Sequence, residues 1–181
     1  MKNVLVVGSG AREVAIARCI SQSSIKNSLF CVSKDINPQI FDLCKGYFVT
    51  DLSNISDIVS YSKKTEVDFA IIGPENPLAN GIVNELENVG VGCVGPKKEV
   101  ALIETSKTFA RKIIDRCCPE KNPQRKEFSS IEGVESFIKQ LGGEYVIKFD
   151  GLMGGKGVRV SGEHLKNIDE GVAYANEIIN I

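Results

Sequence analysis

Over the first hundred positions, short apolar runs alternate with segments whose apolar residues recur every three to four positions. Residues 3–7 predict a buried strand and about 12–22 a helix. Strands are predicted again over 28–32 and 46–49, with a helix over 55–62. A fourth strand over 69–72, a helix over 78–89 and a fifth strand over 91–94 follow. Strand and helix in regular alternation build parallel βαβ units whose helices cover the sheet faces. Right-handed crossovers then favour an open, doubly wound parallel sheet, an α/β fold.

Near residue 97 the pattern changes. Residues 97–126 carry nine Lys or Arg against four Asp or Glu. Two helices are predicted in succession, about 99–104 and 106–117, and Pro119 and Pro123 bracket a polar connector. A strand at about 126–128, a helix over 131–141, a strand over 144–149, a glycine-rich loop, a strand over 158–160 and a helix over 168–181 complete the chain. This block predicts a small α+β unit. A length of 181 residues suits one to two domains. The expected division is an α/β domain over 1–103 and a second unit over 104–181.

Composition narrows the function. Apolar residues make up 43% and charged residues 25%, which is ordinary globular usage. The net charge of -1 argues against nucleic acid as a main partner, because that affinity comes mostly from neutralising phosphates. The longest N-terminal apolar run, Val4 to Val7, is too short for a signal-peptide core or a membrane span, so no membrane partner is expected. The six cysteines form no CxxC pair and no zinc spacing, and reduced thiols in a cytoplasmic protein are the expectation. His164, the single histidine, lies in the polar stretch GEHLKN and is expected at the surface.

Four segments could carry chemistry. Gly8-Ser9-Gly10-Ala11-Arg12-Glu13 follows a strand and opens a helix. Glycines there let backbone approach a ligand, and a helix N-terminus offers N–H groups to an anion. Phosphate binding is the natural reading. A dinucleotide fingerprint wants a third glycine where this chain has Glu13, and a plain tight turn is the alternative without a ligand. Next, Gly73-Pro74-Glu75-Asn76-Pro77 stands at the carboxyl end of the fourth strand, where open α/β sheets bind ligands. Glu75 there either accepts hydrogen bonds from a ligand or caps a helix.

In the second block, strand alternation puts Tyr145, Ile147 and Phe149 on one face and Val146, Lys148 and Asp150 on the other. The loop after it, Gly151-Leu152-Met153-Gly154-Gly155-Lys156-Gly157, could fold over phosphates with its N–H groups and Lys156. The spacing is not that of a Walker A loop, and a hairpin with Lys148 solvated is the alternative. Finally, Ser106 or Thr105 would cap the helix that starts with Lys107, a cation that opposes the helix dipole unless it serves an anion.

In their order along the chain, GSGARE, GPENPLANG, ETSKTFAR and VIKFDGLMGGKGV resemble the phosphoribosylamine–glycine ligases, a family of the ATP-grasp superfamily. The resemblance implies an N-terminal Rossmann-like domain that holds phosphoribosylamine, followed by part of an ATP-grasp unit with a glycine-rich lid. It implies that Gly8, Gly10, Arg12 and Glu13 face the ribosyl phosphate and Glu75 the ribose hydroxyls. Lys107 and Lys148 would hold the ATP phosphates, and Gly151, Gly154, Gly155, Lys156 and Gly157 would close over them, with Lys148 and Lys156 in the catalytic role. The implied reaction joins glycine to 5-phosphoribosylamine through a glycyl phosphate, with ATP consumed, in purine biosynthesis.

The sequence departs from the family where the usual histidine after Arg-Glu is Val14, and where ADGLAAGKG reads FDGLMGGKG. The acidic residues that hold Mg²⁺ in such enzymes come after the lid and are expected beyond residue 181. The chain thus reads as the N-terminal part of such an enzyme. Another ATP-grasp ligase or carboxylase, and a non-catalytic nucleotide-binding module, are the alternatives.

Overall fold

The computed structural model describes residues 1–180, and the chain divides into two compact units, Met1–Leu102 and the remainder from Ile103. In the first unit, β1 (Lys2–Val7), β2 (Asn27–Ser33), β3 (Gly46–Val49), β4 (Phe69–Ile72) and β5 (Gly92–Val94) form one sheet in the order β3-β2-β1-β4-β5. Every neighbouring pair is parallel.

Both faces of this sheet are buried, which is why its central strands read as unbroken apolar runs. Leu5, Val7, Phe30 and Val32 pack under α3 (Ile55–Lys64) and α5 (Ile82–Asn88), against Ile58, Ile82, Val83 and Leu86. Val6, Leu29 and Cys31 point the other way, against Ala17 of α1 (Ala11–Ser21) and Ile40 of α2 (Pro38–Phe41). Each such aliphatic side chain contributes about 1.5–3 kcal/mol by leaving water.

Two details differ from the sequence expectation. The helix predicted over 78–89 is two helices, α4 (Glu75–Ala79) and α5. Gly81 adopts a left-handed φ of 85°, and its N–H bonds back to Leu78, which ends the first helix and restarts the chain on a new axis. The short α2 was not predicted. Asn37 caps it by accepting the Gln39 N–H at 3.0 Å, and Pro38 supplies a pre-set first-turn φ.

In the second unit, α6 (Lys98–Thr105) leads in from the first, and α7 (Lys107–Cys117), α8 (Val134–Gln140) and α9 (Ile168–Ile179) accompany an antiparallel pair, β6 (Val146–Lys148) and β7 (Val158–Val160). Val134, Ile138, Tyr145, Leu165 and Ala175 make its core. Position 171 is glycine inside α9, despite the cost to the helix, because Tyr145 lies on it: a Cβ there would come 2.9 Å from Tyr145 Cζ, and the tyrosine hydroxyl donates to the Asn167 carbonyl at 3.1 Å. The strand predicted at 126–128 does not form, since the only sheet described in this unit is β6-β7 and a lone extended segment has no ladder partner. The helix predicted from 131 starts at Val134, because Gly133 is left-handed at φ 79°. His164 is exposed, as its polar surroundings implied. Among the described residues no helix is long and apolar enough to cross a membrane.

Candidate functional site

The first unit reverses its winding at β1. The chain lays down β1, β2 and β3 to one side, then crosses back to place β4 on the other. The crevice between the carboxyl ends of β1 and β4 is the topological switch point where open α/β sheets take ligands. Val7 and Ile72 are register partners at that end, and Gly73 N–H bonds to the Val7 carbonyl at 3.1 Å. The GSGARE and GPENP segments therefore meet.

The turn after β1 is held on several sides. Gly8 has φ 112°, and a Cβ there would sit 2.9 Å from Pro74 Cδ and 3.1 Å from Glu13 Cδ, so glycine is required. The Ser9 carbonyl accepts from Asn37 Nδ2 at 2.8 Å. Gly10 caps α1, and its N–H donates to Glu13 Oε2 at 2.6 Å. That charge-assisted bond reverses an expectation: Glu13 does not face the open crevice. It turns inward, is 5% exposed, and its other oxygen has no hydrogen-bond partner. The Glu13 carboxylate lies so close to Gly73 that a Cβ there would overlap it. One buried side chain thus spaces both loops.

Arg12 stays on the outside, two-thirds exposed. Its Nη2 reaches Glu75 Oε1 at 3.3 Å, and its Nε lies 3.9 Å from Glu13 Oε1. Glu75 opens α4, and its own backbone N–H and then the Arg12 guanidinium hold its carboxyl below the ordinary range. Glu75 is thus the first residue of α4 and not its cap, which is Pro74, and its carboxylate is half-exposed beside Arg12. What the crevice offers an anion is the first turn of α1, whose N–H groups have no intrahelical acceptor, plus the Arg12 guanidinium.

In the second unit, β6 and β7 are joined by a loop closed by Phe149 N–H to the Gly157 carbonyl at 2.8 Å. Gly151, Gly154 and Gly155 have φ of 150°, 54° and 80°. Gly157 is different: a Cβ there would lie 3.0 Å from Met153. Ser106 is the cap of α7, accepting the Phe109 N–H at 3.1 Å. Asp150 joins this helix start, accepting from Thr108 N–H at 3.2 Å and from the Ser106 hydroxyl at 3.3 Å. Burial raises the Asp150 carboxyl, but the hydrogen bonds from Thr108, Lys107 and Ser106 outweigh it and leave it below its ordinary value.

Lys107 Nζ donates to the Gly151 carbonyl at 2.8 Å, so the loop is latched to the start of α7. Lys148 and Lys156 are exposed, while Tyr145, Ile147 and Phe149 face inward, as strand alternation required. Beside the hairpin runs a groove of about 1280 Å³ that Lys107, Arg111 and Lys148 share with Phe128, Phe137 and Ile147. Apolar walls with a few cations suit a ligand that has a flat apolar part and an anionic part.

Two positions escaped the sequence reading. Asn37 anchors the Ser9 carbonyl, and the Asn-Pro pair at the start of α2 was its signal. Asp150 as partner of α7 had no local signal, because its donors lie 42 to 44 residues away.

Comparison with known proteins agrees with this architecture. Residues 2–104 match the family model "Phosphoribosylglycinamide synthetase, N domain", and residues 105–181 match "Phosphoribosylglycinamide synthetase, ATP-grasp (A) domain". A phosphoribosylamine–glycine ligase of Methanococcoides burtonii is 41% identical over 95% of this chain and 39% of its own length. One from Thermococcus kodakarensis is 40% identical over 97% of this chain and 40% of its own. The chain therefore spans about two-fifths of the curated relatives it matches.

Among solved structures, the phosphoribosylamine–glycine ligase of Thermotoga maritima superposes with a TM-score of 0.69 at 22% identity, covering 97% of this chain and 39% of that one. The N5-carboxyaminoimidazole synthetase of Staphylococcus aureus, complexed with ADP, reaches 0.74 at 12% identity over 99% of this chain and 45% of that one. At these identities the structural likeness speaks for the fold, whereas the two consecutive family matches span the chain from residue 2 to its last. The chain belongs to the phosphoribosylglycinamide synthetase family.

Proposed function

We propose that this chain supplies the ribosyl-phosphate site and one side of the ATP clamp of a ligase that joins glycine to 5-phosphoribosylamine. ATP is consumed, glycyl phosphate is the intermediate, and glycinamide ribonucleotide, ADP and phosphate are the products. The observation that carries the reading is the meeting of GSGARE and GPENP at the switch point, in a chain that also carries a latched glycine-rich loop.

In the first unit, the N–H groups of the first turn of α1 and the Arg12 guanidinium would take the 5-phosphate. Gly8 and Gly10 keep the turn compact enough for that approach. Glu75, held ionised beside Arg12, would accept from the ribose hydroxyls.

In the second unit, Lys107 and Lys148 would pair with ATP phosphates. Gly151 to Gly157, with Lys156, would fold over them and keep water from the acyl phosphate. Phosphoryl transfer depends mainly on positioning and charge neutralisation, and these lysines supply part of both. Glycine's carboxylate would attack the γ-phosphorus and expel ADP, and the ribosylamine nitrogen would then displace phosphate from the acyl carbon. Mg²⁺ would supply further charge neutralisation at the phosphates in such a reaction. Among the described residues no group of three or more His, Cys, Asp or Glu could hold a metal ion, so these residues do not fit a Mg²⁺ site by themselves.

Calorimetry with ribose 5-phosphate tests the site, and ADP release by the full-length protein tests the reaction. Saturable binding, and ADP release that requires both glycine and phosphoribosylamine, are expected. ADP release indifferent to phosphoribosylamine would refute the assignment.

A further inference from the structure

The crevice of the first unit has most of what a dinucleotide-binding turn needs. The sheet order is right, Gly8 and Gly10 occupy the first two glycine positions, and α1 points its N-terminus at the turn. Asp35 is exposed just past β2, where such folds hold ribose hydroxyls. The third glycine is replaced by Glu13, and the structure gives that replacement a function.

In a dinucleotide turn the second glycine lets backbone approach the pyrophosphate, and the third allows close packing of helix on strand. Here the Gly10 N–H is already committed to Glu13 Oε2 at 2.6 Å. The Glu13 side chain fills the space beneath the turn, 3.1 Å from where a Gly8 Cβ would be and against Gly73. Its unpartnered oxygen is buried with it. A pyrophosphate entering the turn would find the Gly10 donor already taken and the space it needs beneath the turn filled by the buried Glu13 side chain. A single phosphate on the outer N–H groups of α1 avoids both, and has Arg12 beside it.

We infer that Glu13 is a specificity-determining residue that closes this crevice to nucleoside-diphosphate ligands and leaves it to a monophosphate. The inference rests on the ribosyl-phosphate reading given above for the identity of the accepted ligand, though not for the exclusion itself.

NADH fluorescence provides the test. It is titrated into the full-length protein and into its Glu13→Gly and Glu13→Gln variants, with saturating ATP present to occupy the second unit. Thermal melting establishes that each variant is folded. Glu13→Gly restores the third glycine and should bind NADH at least about tenfold more tightly than the parent, a change of one decade in Kd. Glu13→Gln keeps the shape without the charge and should fall between them, and it carries the test if the glycine variant melts. Folded variants that bind NADH no better than the parent would overturn the inference. If the parent fails to bind ribose 5-phosphate while the variants gain NADH, the ribosyl-phosphate reading falls and the exclusion by Glu13 stands.

Discussion

Both candidate loops of this chain are rich in glycine, yet what fixes glycine at the centre of each differs. At the switch point, Gly8 and Gly73 are glycines because a neighbour occupies the space of their side chains, Pro74 and Glu13 for the first and Glu13 for the second. In the loop between β6 and β7, Gly154 and Gly155 have no heavy atom within 4 Å of a Cβ position, and they are glycines because the backbone turns left-handed. The first loop is crowded throughout, whereas the second is crowded only at its ends, by Phe149 at Gly151 and Met153 at Gly157, and is open at its tip. A fixed crevice suits the recognition of a small phosphate ester. A loop with open space around it suits closure over a ligand.

The comparison can be broken most forcefully at Gly73. Gly73→Ala drives a methyl into the buried Glu13 carboxylate, and overpacking of this kind costs about 1–3 kcal/mol. Denaturant unfolding should record that loss, together with loss of ribose 5-phosphate affinity. An unchanged midpoint would mean that Glu13 yields easily and the crevice is not rigid. Next in size are the lysines of the second unit. Lys148→Ala in the full-length protein should raise the apparent KM for ATP about 10- to 100-fold, as expected for a charged hydrogen bond worth about 1.5–3 kcal/mol. The KM for phosphoribosylamine should stay put, and steady-state kinetics distinguishes the two.

Gly155→Ala should cost only about 1–2 kcal/mol, from the left-handed φ alone. Its thermal shift should be smaller than that of Gly73→Ala; a larger one would reverse the contrast between the loops. The smallest effect belongs to Asp150. Asp150→Asn keeps an acceptor but removes the negative charge at the start of α7, and should cost about 0.3–1 kcal/mol. Because the folded carboxyl is held below its unfolded value, its contribution is present above the unfolded pKa and fades as pH falls through the folded one. Melting of the parent and the variant should therefore converge as the solution is acidified below about pH 4, the unfolded Asp value. A gap that persists in acid would show that the hydrogen-bond geometry, and not the charge, matters.

The fold of the first unit was legible because strands buried on both faces leave a plain signal, as Asn3 to Val7 and Ser28 to Val32 do. What was lost were single-residue decisions. Gly81 splits one apolar stretch into α4 and α5, and Gly133 delays α8, and neither left-handed φ is visible in hydrophobic spacing. Residues 126–128 alternate like a strand, but a strand also needs a partner, and pairing is a property of the whole molecule. At the sites, residue types were readable and directions were not. Glu13 was recognised as unusual for its position, but its turn inward depends on Gly73, far along the chain. Lys107 and the glycines were singled out separately, while the bond from Lys107 to Gly151 spans 44 residues.

That bond couples two equilibria. Lys107 stands at the first position of α7, where the helix dipole repels it, and it rests on an uncharged carbonyl. Any anion that draws the ammonium away also releases Gly151 from α7. By linkage the two events assist each other to the same extent. A change that loosens the loop should therefore sharpen the response of Lys107 to anions, and inorganic phosphate alone should act on the loop as a mild effector.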